Sequence, residues 1–350
     1  MAKRLKSQCL CRNTVIAITQ GDPVGIGPEV TIKGFNPETR CIHIGDATLY
    51  KDTAKFLGCT IPMECVETIE EAAALPSNIF AILPPKDEQQ NIVTGDASTT
   101  VESIRFACQL AQSGQVQAMV TPPINKAAIH KAGYNFPGHT EMLADYTDVK
   151  YPVMMLASKG LRVVPATIHQ ALADVPKNLT RELLEKIIRT TYKAMQLDFA
   201  IKKPRITIAA LNPHAGENGA FGREELDFIS PLCQELQNEL SSKNTGEIRG
   251  PLPADTLFHD AARKQYDAVI CMYHDQALIP LKMLGFGHAV NITLGLPIVR
   301  TSVDHGTAYN IAGKGVADAT SFMQAVRLAA LIVKNRQEFN GVASSFIRPL

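Results

Sequence analysis

The sequence predicts an α/β protein built on a mostly parallel sheet covered by helices. Three observations carry this reading. Short β-branched or apolar runs alternate with segments of helical period, several runs end in loops carrying glycine, proline or histidine, and 350 residues at 45% hydrophobic content supply one large or two medium cores. Lys and Arg total 35 against 34 Asp and Glu, so there is no broad electrostatic footprint for nucleic acid or a membrane surface. A small-molecule partner is favoured.

The first thirteen residues lack the apolar core of a signal peptide and read as a lead-in to the first strand. No run approaches about 18 uninterrupted apolar residues, so no membrane span is expected. Eight cysteines without a repeated spacing fit reduced thiols in the cytoplasm, and Cys9-Leu-Cys11 is too tight for a zinc knuckle.

Thr14 to Thr19 is a β-branched strand leading into Gln20-Gly-Asp-Pro-Val-Gly-Ile-Gly-Pro28-Glu29, where Pro28 suits the first turn of a helix. Its glycines do not match the dinucleotide fingerprint, so the loop either brings Asp22 and backbone N–H groups to a cleft or is plain turn chemistry. Arg40 to Gly45 is a strand, Asp46 to Leu57 a helix, Phe80 to Leu83 a strand, Asp96 to Gln112 a long helix and Val116 to Thr121 a strand. After Thr121-Pro-Pro-Ile-Asn-Lys126 a short helix precedes Gly133. Tyr151 to Ser158 and Leu161 to Ile168 form a hairpin around Lys159-Gly160, and Thr180 opens a helix to Met195. Arg205 to Leu211 is a strand, Glu224 to Leu240 a helix, Ser241 to Arg249 a polar surface loop or insertion, and a short helix follows Asp255. Tyr266 to Met272 is a strand and Asp318 to Val333 an amphipathic helix before a polar tail.

His169, His214 and His274 each follow an apolar β run, and in open α/β sheets the carboxyl ends of strands face the ligand crevice. Together they suit one divalent ion such as zinc or cobalt, with Asp275 as neighbour or ligand; each taken alone is equally a structural histidine. His43 and His130 sit in ordinary strand and helix contexts, and His259 and His288 are placed with them. Cys271 to Gly315 is unusually dense in polar residues among apolar runs and glycines, a mixture typical of neither a strand nor a surface loop. Within it Lys282, Asn291 and Arg300, with the Gly138-His-Thr140 loop, could hold a phosphate or carboxylate, the competing reading being solvated charge. Asp304 to Gly315 is a glycine-containing loop before a helix, compatible with a nucleotide without being diagnostic.

Seven motifs, in order along nearly the whole chain, resemble the 4-hydroxythreonine-4-phosphate dehydrogenase family of pyridoxal phosphate biosynthesis. They are Gly21-Asp-Pro-Val-Gly-Ile-Gly-Pro-Glu29, Thr121 to Lys126, Gly138-His-Thr-Glu141, His169-Gln170, Asn212-Pro-His-Ala-Gly-Glu217, His274-Asp-Gln276 and Asn291 to Gly315. The resemblance implies a two-lobed α/β/α fold of the isocitrate and isopropylmalate dehydrogenase type, and a homodimer with shared active sites. It implies one divalent metal (Zn, Co or Mg) on His169, His214 and His274, drawn from both subunits, and substrate on His139, Thr140, Lys282, Asn291 and Arg300. It places NAD, with NADP open, on Asp304, His305, Gly306, Thr307, Ala308 and Asn310. Residues 1–128 plus 302–350 would form the lobe with both termini and most of the NAD site, and 129–301 the central lobe with the metal site and dimer interface. Ala277 departs from an expected glycine, and Ser241 to Arg249 looks longer than usual.

The implied reaction oxidises a phosphorylated secondary alcohol to a β-keto acid that loses CO₂. Asp275, Asp255 or a metal-linked water would accept the proton, and Lys282 and Arg300 would fix the phosphate. Two other readings stand beside it: a paralogue acting on threonate or erythronate 4-phosphate, and a non-catalytic metal- and phosphate-binding protein.

Overall fold

Val15–Thr19 (β1) is buried along its whole length, as a parallel strand covered on both faces must be. The computed structural model describes residues 14–87, 89, 91–93, 97–262, 265–285 and 287–345; the lead-in with Cys9 and Cys11, Asp96, Phe286 and the end of the tail lie outside them. Packing divides the chain into two units, Met1–Pro152 with Leu296–Leu350, and Val153–Gly295. The division expected at 128 and 301 differs from this one. Lys126–Lys131 and His139–Tyr146 both pack on the Ala97–Gln112 helix of the first unit, which draws the segment after 128 into it.

After β1 come α1 (Gly27–Lys33), β2 (Arg40–Ile44), α2 (Ala47–Phe56), β3 (Met63–Cys65), α3 (Ile69–Ala74), β4 (Phe80–Leu83), α4 (Ala97–Gln112), β5 (Ala118–Thr121), α5 (Lys126–Lys131) and α6 (His139–Tyr146). The second unit follows with β6 (Val153–Ser158), β7 (Leu161–Pro165), α7 (Val175–Asn178), α8 (Arg181–Leu197), β8 (Arg205–Ala209), α9 (Ser230–Lys243), β9 (Glu247–Leu252), α10 (Ala254–Ala262), β10 (Ala268–Cys271), α11 (His274–Gly285) and β11 (Val290–Leu294). The chain then returns to the first unit with β12 (Arg300–Val303) and α12 (Thr320–Ser345).

In the first unit the strands run β3-β4-β2-β1-β5-β12 and every pair is parallel. The expectation of a mostly parallel sheet needs qualifying in the second unit, whose order is β11-β6-β7-β10-β8-β9. There β6 runs antiparallel to both neighbours, because the tight turn at Lys159-Gly160 reverses it into β7, and the rest are parallel. Helix starts follow local chemistry: Asp46, Asn125 and Thr180 cap α2, α5 and α8 by accepting backbone N–H bonds.

Two polar stretches, the first expected as a surface loop or insertion, are regular structure. Of the Ser241 to Arg249 segment, 241–243 finish α9 and Glu247 onward is β9, paired with β8, so backbone pairing overrides a polar composition. The polar stretch from Cys271 to Gly315 resolves into α11, β11 and β12 around its loops. No described helix is long and apolar enough to cross a membrane.

His43 shows how a polar residue is accommodated in the first core. Its ring stacks on Phe80 at 3.4 Å between centroids and 7° between planes, and Nδ1 lies 3.2 Å from the Ala81 carbonyl. Burial pushes its pKa from 6.5 down to about 3, against the smaller opposing effect of that carbonyl. An unfolded imidazole therefore takes up a proton near pH 6.5 that folded His43 refuses until about pH 3, and stability falls as pH drops through this window. His43→Gln should flatten that fall relative to wild type in urea denaturation series across the window; identical pH slopes would refute the assignment.

Candidate active site

In the first unit β1, β5 and β12 are parallel neighbours, so the loops that follow them emerge on one edge. Gly21, at φ 73, makes the first of these turns; a Cβ there would come within 2.9 Å of Pro122. Asp22 is buried. Its backbone N–H donates to the Pro123 carbonyl (2.8 Å), its Oδ1 accepts from the Val24 N–H (3.0 Å), and its Oδ2 accepts the Tyr309 hydroxyl, which Asn125 also contacts. Turn chemistry and cleft both describe this loop, since Asp22 and Asn125 line a cavity of about 450 Å³.

The 304–317 segment is fastened to the same loop and to α1. The Ile26 N–H donates to the Thr307 carbonyl (3.0 Å), and Gly25 packs so closely on Thr307 that a Cβ would meet it at 3.0 Å. Lys33 Nζ donates to the carbonyls of Gly315 (2.8 Å) and Ala317 (3.0 Å), while Glu29 accepts from the Ala317 N–H (2.7 Å) and from Lys33 (2.7 Å). The predicted nucleotide residues Asp304, His305, Gly306, Thr307, Ala308 and Asn310 thus lie on one pinned loop. Ala308 is left-handed (φ 47), a Cβ at Gly306 would meet nothing, and His305 Nε2 is buried without a partner among the described residues. A cleft of about 620 Å³ beside it is lined by Tyr309, Ala312, Gly313, Pro23, Asp52 and Phe56. An unpartnered imidazole nitrogen, an open glycine and an adjoining cleft fit a nucleotide.

A cationic cluster lies in the same unit. Arg300 is only 3% exposed, and its Nε and Nη2 donate to Thr121 Oγ1 at 3.1 and 2.7 Å. Burial pushes the guanidinium down to about 9, with the Glu141 carboxylate opposing. His139 opens α6. Burial, followed by the charges of Arg300 and Lys126, holds its imidazole well below the ordinary histidine range, so it is neutral, and its Nε2 has no partner among the described residues. Gly138 before it leaves a gap: a Cβ there would stand 3.2 Å from Glu141 Oε2 and 3.7 Å from Lys126 Cε. Thr140 is half-buried on the first turn of α6. The structure therefore brings His139 and Arg300 together with Thr140 next in sequence to His139, whereas Lys282 and Asn291 belong to the other unit. There Lys282 is exposed on α11, and Asn291 is half-buried on β11 with Oδ1 unpartnered among the described residues.

In the second unit β7, β10 and β8 are parallel neighbours, and their carboxyl ends lead to His169, His274 and His214. The rings of His169 and His274 stand 5.7 Å apart between centroids and line one cavity of about 450 Å³. Asp275 Oδ1 lies 2.7 Å from His274 Nδ1, an arrangement that places the proton on Nδ1 and leaves Nε2 as a lone-pair donor. This donor set fits a divalent ion of the zinc group better than magnesium. His169 has φ 43. His214 lies in a turn, Pro213–Gly219, whose residues 214 to 218 have φ of 51, 55, 78, 41 and 56. Left-handed backbone costs about 1–2 kcal/mol per non-glycine residue, so something must hold this turn. Glu225 does. Only 3% exposed, it accepts the N–H groups of Leu211 and Asn212 (both 2.8 Å) and Asn212 Nδ2 (2.9 Å), and a Cβ at Gly216 would come within 2.8 Å of it. Among the described residues no three His, Cys, Asp or Glu form a group that could hold a metal ion; His169 and His274 are paired, and His214 sits on its own turn. Asp255 is exposed on α10.

Over residues 37–329 the sequence matches the family described as pyridoxal phosphate biosynthetic protein PdxA. It is 45% identical over 327 residues to a 4-hydroxythreonine-4-phosphate dehydrogenase of Ruegeria sp. (strain TM1040), covering 92% of this chain and 98% of that one. The chain belongs to the PdxA family. A second relative of the same description, from Paracoccus denitrificans (strain Pd 1222), is 46% identical over 319 residues, covering 90% of this chain and 96% of that one. The crystal structure of 4-hydroxythreonine-4-phosphate dehydrogenase from Klebsiella pneumoniae superposes with a TM-score of 0.78 at 35% identity, covering 92% of this chain and all of that one (100%).

Sequence reasoning passed over several residues that shape this PdxA-family site: Glu29, Lys33, Lys126, Tyr309 and Glu225. Glu29 and Lys33 carried a signal, an i,i+4 pair. Lys126 also did, standing just past a strand's carboxyl end. Glu225 and Tyr309 did not, since their partners are distant in sequence. Glu225→Ala should lower the unfolding free energy by about 1–3 kcal/mol, because it strands buried donors. Unchanged urea midpoint and slope would show that the turn stands without it.

Proposed function

We propose that the chain is a NAD-dependent dehydrogenase that oxidises 4-phosphohydroxy-L-threonine to 2-amino-3-oxo-4-phosphooxybutanoate. That β-keto acid loses CO₂ to give 3-amino-2-oxopropyl phosphate, in the formation of pyridoxal 5'-phosphate. The observation that carries the reading is the cluster of Arg300, neutral His139 and Thr121 in a PdxA-family chain, because a buried guanidinium beside an unpartnered imidazole nitrogen suits an anionic, hydroxylated substrate.

His139 and Thr140 would orient the substrate, and Arg300, with Lys282 and Asn291, would hold its anionic groups. A divalent ion would be held by His169, His274 and His214, with the set completed between the subunits of a homodimer, and NAD by the 304–310 loop. Bound there, NAD supplies the hydride acceptor and the ion supplies positive charge toward an ionising hydroxyl. Asp275 keeps His274 in the Nδ1–H tautomer, a positioning role, and its exposure leaves it able to pass a proton to water. Exposed on α10, Asp255 has no described contact that favours it as the base. Lobe by lobe, the first unit would carry NAD and the second the metal.

The test is absorbance of reduced nicotinamide with each phosphorylated hydroxy acid, with and without chelator. We expect a signal with 4-phosphohydroxy-L-threonine that chelator abolishes and metal restores. His214→Ala should lose metal-dependent turnover and keep its fold. A signal only with threonate or erythronate 4-phosphate would move the assignment to a paralogue, none at all would favour a binding protein, and full activity of His214→Ala without metal would sink the metal site.

A further inference from the structure

Lys126 is the first residue of α5, five residues past the end of β5, and its Cε lies 3.7 Å from where a Cβ on Gly138, the N-cap of α6, would stand. Positive charge gathers at this place. The amino end of α6 carries partial positive charge, Arg300 is buried beside it, and both Arg300 and Lys126 act on His139. Among the described residues, the titratable groups that act on His139 or Arg300 or stand beside Gly138 are Lys126, Arg300, His139 and Glu141, of which Glu141 is the negative one; the Asp22 carboxylate near Asn125 is already taken by the Val24 N–H and the Tyr309 hydroxyl. Lys126 itself has no ion-pair partner among the described residues. Two cations that both act on His139 at a helix amino end make a positive potential that suits an anion.

Resting on the functional reading above, we infer that Lys126 is a further substrate-binding residue, its ammonium closing the Arg300–His139 cluster around the phosphate of the substrate. A phosphate is favoured over a carboxylate because two cations and a helix amino end outweigh one glutamate, which matches a dianion better than a monoanion. Gly138 keeps the gap open: a side chain there would crowd Glu141 and touch the Lys126 stem. Lys126 is exposed along much of its length, so its substitution leaves the core intact.

The experiment uses the full-length protein with Lys126→Met and Lys126→Arg, checked for unchanged thermal unfolding. Lys126→Met should raise KM for 4-phosphohydroxy-L-threonine about 10- to 100-fold, the scale of a charge-assisted hydrogen bond, with a smaller change in kcat and none in the KM for NAD. Inorganic phosphate, as competitive inhibitor and as titrant in calorimetry, should weaken by a similar factor, and Lys126→Arg should recover part of both. With unphosphorylated 4-hydroxythreonine the two proteins should not differ. An equal loss on both substrates would overturn the phosphate assignment, and a Lys126→Met protein with wild-type KM and phosphate affinity would overturn the role altogether. Failure of the functional reading looks different: no turnover by wild type, with phosphate binding still dependent on Lys126.

Discussion

A parallel strand buried on both faces has little room for a charged side chain except at its ends, and this constraint arranges the chemistry of both units. Thr19, Thr121 and Val303 close three parallel strands of the first unit, and Asp22, Lys126 and His305 appear within a few residues of them. In the second unit the ends of β7, β8 and β10 lead in the same way to His169, His214 and His274. The interior of each sheet could be exchanged for other apolar residues of like volume with modest consequence. The loops at the carboxyl edge could not, because their side chains answer to one another.

Where the chain departs from that economy, it does so at candidate functional residues. Removing a guanidinium from water costs several kcal/mol, and Arg300 recovers part of it through Thr121 and the nearby Glu141. Lysine would not substitute well, since Arg300 sends Nε and Nη2 to one hydroxyl, a planar fork that an ammonium lacks. His169 and the 214–218 turn store strain in left-handed backbone, and Glu225 holds the second of these by accepting from Leu211 and Asn212, between β8 and the turn. Strained backbone beside candidate ligands fits a site whose geometry is set before anything binds.

Much of the fold was legible in the residues. β1, β4, β5, β8 and β10 announce themselves as β-branched or apolar runs, α8 by its Thr180 cap and period, and the β6–β7 hairpin by Lys159-Gly160. The misreadings have a common cause. β9 is polar and proline-bearing, β12 carries an arginine and three of its four residues are hydroxylic or charged, and β11 contains Asn291. Composition argues against a strand in β9 and β12, and in β11 a single asparagine interrupts a β-branched run; pairing with β8, β5 and β6 decides each. The candidate site was legible to the extent that its residues stand at strand ends or in contiguous motifs. Glu225 against Asn212, and Tyr309 against Asp22, join parts of the chain that only folding brings together.

By itself the sequence determined the α/β class, the order of most elements and the identity of the residues that end the parallel strands, because apolar periodicity and turn chemistry are local properties. Tertiary structure alone decided which of those residues meet. It paired His169 with His274, set Arg300 beside His139, placed the Lys126 stem beside Gly138 and pinned the 304–317 loop to α1. These depend on strand order and helix packing, which arise from contacts distant along the chain and leave no mark in any short window of it.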